Sequence, residues 1–403
     1  MNLRSVTLQL EALFKSKVIR YPIMLILMTI GLVFLFREAH HLKVNDFIRY
    51  WFSSRILLTG GDPYSSIGHL SIQEVLGPTL AHTCITYNPP WIFPLIIVFG
   101  LFSQPVSQIL WLFTQIAVVL VCTNQIWRLF GGLPKQLWIA WLAAFTFGPA
   151  ISTILFQGQI SPLILAGLVG FLVFIDKPGK EWIAGALAVL VLVKPQVPYL
   201  FLVAFLLWII FKNKWSALIG FITCFAILNF AVLIFNPHIF SQFFQCIQNN
   251  APTGWATPTI GTYLRLLFNP SGFLLVFLPP LFGITWIFYY FFKNYRAWDW
   301  KREIPIILFI SSITSAYIWT YDLIILIIPL LMAFIWLLTE KKSWIAVTSV
   351  IIYIVIDSVY LRLHLIYDDS IFIWFAPLIF IWYLVMHALH ERSIKILEVN
   401  DIS

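Results

Sequence analysis

Charge is what this chain has least of. Only 10% of its 403 residues are charged, and only 17 are Asp or Glu. Soluble domains carry about a quarter, so an ordinary soluble domain is excluded. Lys and Arg outnumber the acids, 25 to 17, but they sit at the ends of apolar runs. No basic stripe stands clear of those runs, so there is no footprint for nucleic acid. The four cysteines form no CxxC pair. Cys122 and Cys224 lie in apolar runs and read as core packing. Cys84 and Cys246 lie in loops on one predicted side, where a disulfide between them stays open. Metal-ligand clusters are lacking: His40 and His41 are adjacent and cannot share a helix face, and no metal is expected. Without a Walker loop, GxGxxG or GxSxG, an ATP-driven pump is disfavoured and no cofactor is called for. The first twenty residues lack a signal-peptide cleavage pattern, so the first apolar run reads as a retained helix. Barrel strands would alternate apolar and polar over about ten residues; Ile324 to Leu338 does not.

What is abundant is apolar surface. Hydrophobic residues make up 61% of the chain and the mean hydropathy is +0.90. Apolar runs recur along the whole length, which predicts an all-α polytopic membrane protein. Residues 1–20, with Arg4, Lys15, Lys17 and Arg20, read as a cytoplasmic amphipathic lead-in. A single integral membrane domain follows over 21–390, and 391–403 is a cytoplasmic tail. Residues 21–37 are the first span, and 38–86 form a long polar loop with its own helix near 45–59. A second large loop covers 236–270. Holding the Lys and Arg clusters in the cytoplasm places both loops, with 156–159, 194–196, 320–322 and 363–370, on the extracytoplasmic side. About 12 crossings are expected, since a span needs about 20 residues. Segments 88–103 and 182–193 are shorter than that, and short helices are tolerated where they line a protein-buried cavity. The stretch 87–127 looks like two segments where the charge bias needs an odd number of crossings, so one of them reads as re-entrant.

The same charge bias gathers the notable polar residues on one face. Polar groups near membrane spans are costly and mark a pathway or a site. Asp46 lies in Asn45-Asp46-Phe47-Ile48-Arg49-Tyr50-Trp51. On a helix starting there, Asp46, Arg49, Tyr50 and Ser53 share one face, while Phe47, Trp51 and Leu58 face the membrane surface. Asp46 reads either as the cap of this helix or as a general base, an acid partly desolvated at the membrane face. Gly60-Gly61-Asp62-Pro63-Tyr64 reads as a tight turn, with Asp62 and Tyr64 bordering the site. Lys194 interrupts an apolar run before Pro195, which ends that helix; it reads as a phosphate ligand or a snorkelling lysine. Gln159, after Gly158, reads as a hydroxyl ligand or an end cap. Asp322, after Tyr321, reads as a cap for the following helix or a substrate contact. Asp368 and Asp369 read as a solvated turn.

Taken in order, Asp46-Phe47, Tyr50, Leu58, Gly60, Asp62-Pro63-Tyr64, then Tyr87-Asn88-Pro89-Pro90, Gly158-Gln159, Lys194-Pro195-Gln196 and Tyr321-Asp322 resemble glycosyltransferase family 87. These are membrane-embedded GT-C enzymes that include polyprenyl-phosphate-mannose-dependent α-1,2-mannosyltransferases. The resemblance covers roughly residues 25–340. It implies a GT-C fold with a helical first extracytoplasmic loop. It also implies transfer of a hexose, mannose in the first place, from a polyprenyl-phosphate donor to a hydroxyl of a lipid or glycan acceptor. By the resemblance, Asp46 is the base and the reaction inverts the anomeric centre without a metal. Lys194, with Arg49 as second cation, meets the lipid phosphate, and Tyr50, Tyr64 and Tyr87 stack on sugars or line the cleft. Asn88, Gln159, Tyr321 and Asp322 complete the substrate-binding set. Membrane lipid would surround an enzyme of the plasma (inner) membrane whose site faces outward. The rival reading is a transporter or flippase, for which broken segments and buried polar groups also speak; the long first loop and the lack of an inverted repeat speak against it. A lipid-linked oligosaccharide ligase would want more basic residues in a late loop than the single Arg265 of 236–270.

Overall fold

Proline opens several of the helices. It stands in the first turn at Pro90, Pro105, Pro149 and Pro162, where a missing N–H leaves no hydrogen bond unmade. The computed structural model describes residues 46–65, 86–251, 253–270, 272–339 and 343–402. The lead-in 1–20, the first span 21–37 and Cys84 lie outside the described residues. Within them the chain is helical throughout, with no strand.

The first helix, α1 (Phe47–Leu58), is followed by a broken run over Pro90–Leu101 and a long helix, α2 (Gln104–Leu129). Next come α3 (Leu137–Thr146), a short bent stretch over Gly148–Gln157, and α4 (Pro162–Phe174). Then follow α5 (Glu181–Ala188), running on as a 3-10 turn to Val193, α6 (Tyr199–Lys212) and α7 (Trp215–Phe235). Two short helices, α8 (Ile239–Asn249) and α9 (Ile260–Phe268), precede α10 (Leu278–Asn294) and α11 (Trp300–Thr314). The chain ends with α12 (Ile327–Thr339), α13 (Ser343–His364) and α14 (Phe375–Ile402).

Among the described residues six helices are long and apolar enough to cross a membrane. A seventh arises if Pro134–Thr146 and Gly148–Gln157, which meet at 67°, form one span. The protein is an integral membrane protein. The expected count of about 12 also drew on apolar stretches that fold as shorter helices: Pro90–Leu101, Pro162–Phe174, Glu181–Val193 and Tyr199–Lys212. Proline, glycine and 3-10 turns break them, as the shortness of 88–103 and 182–193 foreshadows.

The spans differ in their surroundings. The Trp215–Phe235 span is 11% buried and the Thr320–Leu338 span 83% buried. The first turns Ile219, Phe230 and Ile234 outward; the second runs through the centre of the bundle. The loop 236–270 is largely helical, formed by α8, α9 and the turn between them.

Helix α1 does not float at a lipid surface. It lies against the 97–101 turn and α2. Phe47, expected to face the membrane, is 1% exposed, stacked on Trp111 at 5.7 Å and edge-on to Phe99. Relative to exposure to water, such burial of a phenyl ring is favourable by about 1.5–3 kcal/mol. Past Leu58 the chain turns at Gly60, φ +75°. The Gly60 and Gly61 N–H groups donate to Leu57 and Ile56, a Schellman ending that needs the left-handed residue.

Helices α4, α5 and α6 run between two ends of the molecule. Gln159, Lys194 and Tyr199 stand at one end; Ile175, Glu181 and Lys212 stand at the other.

Candidate active site

A cleft of about 840 Å³ opens at the first of these ends. Its lining comes from segments remote in sequence: Asp46, Arg49 and Tyr50 of α1, Tyr87 and Asn88, Gln157 and Gln159, and Lys194 to Gln196. Trp255, the stretch Trp319 to Asp322, and His364 with Tyr367 to Asp369 complete it.

Two backbone breaks deliver the central side chains. Gly158 adopts φ +63° and ends the bent Ser152–Gln157 stretch, so that Gln159 turns inward instead of continuing a helix. Trp111 Nε1 donates to Gly158 O at 2.7 Å and Gln115 Nε2 to Gln159 O at 2.5 Å. Lys194 leaves the 189–193 turn with a non-helical backbone, φ −142° and ψ 78°, since the following Pro195 disfavours the helical region for it.

Gln159 is 3% exposed and joins the set. Its Oε1 accepts from Tyr50 Oη at 2.7 Å and from Lys194 Nζ at 2.9 Å. Its Nε2 donates to Asp46 Oδ2. Lys194 also donates to Asp322 Oδ1 at 2.8 Å, where Ser161 Oγ donates at 2.5 Å. Asp46 and Asp322 are thus linked through Gln159 and Lys194. Burial, and then the charges of Asp46 and Asp322, push the Tyr50 phenol well above its ordinary range, which keeps it a neutral donor.

Asp46 occupies the cap position of α1 but makes no side-chain cap bond. Its carboxylate is 23% exposed and faces Arg49 Nε at 3.6 Å. Asp322 caps its own helical turn, as one of its two readings has it: Oδ2 accepts from Trp319 N at 3.2 Å, while Oδ1 holds Lys194.

An aromatic row flanks the charged set. Tyr87 meets Trp255 edge-on at 4.9 Å, Trp255 lies 5.9 Å from Trp319, and Trp319 stacks on Tyr321 at 6.1 Å. Lys194 Nζ stands 4.6 Å over the Tyr321 ring.

Nine of the expected residues line the cleft: Asp46, Arg49, Tyr50, Tyr87, Asn88, Gln159, Lys194, Tyr321 and Asp322. Asp62 and Tyr64 do not. Asp62 Oδ1 accepts from Tyr64 N at 2.9 Å, and Tyr64 Oη donates to Asn88 O at 2.8 Å. Tyr64 is 4% exposed, between Phe93 and Phe243; it supports the wall from behind.

The expected solvated turn at Asp368 and Asp369 holds for Asp368 alone. The Asp369 side chain is 11% exposed and accepts from Thr320 N at 2.7 Å and from Thr320 Oγ1. The corner between α13 and α14 folds over the cleft and brings this acid onto the 320 turn. Ser152 Oγ, His364 Nε2 and Asp369 follow one another at 3.0 and 3.7 Å. The order is that of a nucleophile, base and acid, but Ser152 is fully buried and 3.7 Å is too long for a hydrogen bond. The three brace the corner.

Trp255, Trp319, His364 and Tyr367 escaped the sequence reading, and Asp369 was read only as part of a solvated turn. The turn between α8 and α9 carries Trp255 in, and Arg265 Nη2 holds the Trp255 carbonyl at 2.8 Å. The Trp319-Thr320-Tyr321 run was the one signal at hand.

The model of glycosyltransferase family 87 matches residues 86–315. The chain belongs to glycosyltransferase family 87. No curated protein and no solved structure shows significant similarity to it. This glycosyltransferase carries Tyr87, Asn88, Gln159 and Lys194 inside the matched residues, whereas Asp46, Asp322 and Asp369 flank them. Family membership favours sugar transfer over transport.

Proposed function

We propose that this glycosyltransferase moves a hexose, mannose being the first candidate, from a polyprenyl-phosphate donor to a hydroxyl of a lipid or glycan acceptor. The observation that carries the reading is the junction of Asp46 with Lys194 through Gln159 in one open cleft. A carboxylate beside cations is the arrangement that displacement of a phosphate by a hydroxyl needs.

The acceptor oxygen attacks the anomeric carbon from the side opposite the lipid phosphate. A bond forms from that oxygen to the carbon, and the bond from the carbon to the phosphate oxygen breaks. Asp46 takes the hydroxyl proton, and the electron pair leaves with the phosphate. Configuration inverts, as single displacement demands. Lys194 and Arg49 stabilise the departing charge; a monophosphate leaving group can be met by such side chains without a metal. The row Tyr87, Trp255, Trp319 and Tyr321 offers apolar faces to sugar rings. The lipid chain of the donor lies in the membrane beside the cleft. The cleft would face the extracytoplasmic side of a plasma (inner) membrane, a side the Lys and Arg clusters support, within a GT-C architecture.

Purified protein incubated with radiolabelled polyprenyl-phosphate hexoses and a membrane lipid extract tests the reading. Label should pass from one donor to a more polar product, and Asp46→Asn should stop it. Label remaining on every carrier sinks the proposal.

A further inference from the structure

We infer that Gln159 is a positioning residue, fixing the Asp46 carboxylate so that Oδ1 is the oxygen that receives the acceptor proton; this rests on the reading of Asp46 as base. An amide can sit in its site two ways round, and only its partners decide. Here they decide fully. The Lys194 ammonium is a donor alone, and the Tyr50 phenol is neutral and donates. Both reach Oε1, at 2.9 and 2.7 Å. A flipped amide would set its NH2 against an ammonium. Nε2 is therefore the group that meets Asp46 Oδ2.

The amide is held from its other side as well. Gln159 N donates to Thr153 O at 3.0 Å and Gln159 O accepts from Gln115 Nε2. With 3% of its surface exposed and its oxygen filled by two donors, Gln159 is poorly placed to bind a sugar hydroxyl, the role its position in the sequence invites. What its geometry does is occupy one carboxylate oxygen of Asp46. The other, Oδ1, lies 3.6 Å from Arg49 Nε, and Asp46 lines the cleft.

Gln159→Leu removes the hydrogen bonds, and Gln159→Glu keeps the shape while opposing Asp46 with a second acid. In both, kcat is expected to fall on the order of 10- to 100-fold, the loss expected when a reacting group is displaced by about 1 Å. Donor and acceptor KM should stay within about twofold. Tyr50→Phe, which removes one of the two donors to Oε1, should act in the same direction and less. It serves where Gln159→Leu fails to fold. The infrared carboxylate band of Asp46, taken as wild type minus Asp46→Asn, should shift in frequency in Gln159→Leu, because Oδ2 loses its donor, a readout that needs no activity. Unchanged kcat with an unmoved carboxylate band overturns the inference, as does a rise in acceptor KM with kcat retained. An inactive wild type overturns the reading of Asp46 instead, and the position of the infrared band still decides for Gln159.

Discussion

Lys194 Nζ lies 2.8 Å from Asp322 Oδ1, with the two side chains 10% and 1% exposed. This cation is held by the protein before any phosphate arrives. Removing one partner leaves the other charge buried and alone, which costs about 3–5 kcal/mol. Asp322→Ala should therefore lower the unfolding midpoint in detergent far more than its loss of one contact would imply. Lys194→Met together with Asp322→Leu should recover much of that stability and none of the activity. Equal midpoints for the single and double variants would argue against the pair.

Asp46 makes no cap bond to α1, so its loss should spare the fold. Asp46→Asn should reduce sugar transfer by about 10²–10⁴, the span typical of a general base, at an unchanged unfolding midpoint. A cap would behave the other way round: stability would drop by about 1 kcal/mol with transfer retained. Thermal unfolding and a transfer assay on the same preparation separate the two.

Lys194→Ala carries a kinetic signature of its own. The ammonium stands between the aromatic row and the acids, where the lipid phosphate would leave. Donor KM should rise more than acceptor KM, and kcat should fall with it. The reverse pattern, acceptor KM rising alone, would remove Lys194 from the donor side.

Tyr64 tests the boundary of the site. Its hydroxyl reaches the Asn88 carbonyl at 2.8 Å from behind the wall. Tyr64→Phe should cost about 0.5–1.5 kcal/mol, the net value of one hydrogen bond, and leave donor and acceptor KM where they were. A shift in either KM would put Tyr64 in the cleft after all.

The membrane class was legible because it follows from composition, and α1 because a polar stretch with helical spacing stands out against apolar runs. Asp46, Lys194 and Asp322 were legible for a related reason: each interrupts or borders apolar sequence, where a charge needs a cause. The number of spans was harder. Apolar length alone cannot show that Phe147 and Gly148 mark a 67° bend, or that 189–193 tightens into a 3-10 turn. The aromatic wall was illegible. Trp255 resembles any loop tryptophan until Tyr87, Trp319 and Tyr317, distant in sequence, close around it. Gln159 was legible as a residue, but its partners were not, since which of its atoms are already taken depends on Tyr50 and Lys194.

The span Thr320–Leu338 has mean hydropathy 2.5 and Trp215–Phe235 has 2.6, yet the first is 83% buried and the second 11%. Equal apolarity thus serves opposite surroundings. A helix enters the bilayer before its neighbours close around it, so the central span must be acceptable to lipid it later leaves. The order of synthesis adds a further constraint. Lys194 is made 128 residues ahead of Asp322, so its direct ion-pair partner reaches it only when the central span arrives. The cleft is therefore completed late in biogenesis, when the turn before that span closes onto a lysine already in place.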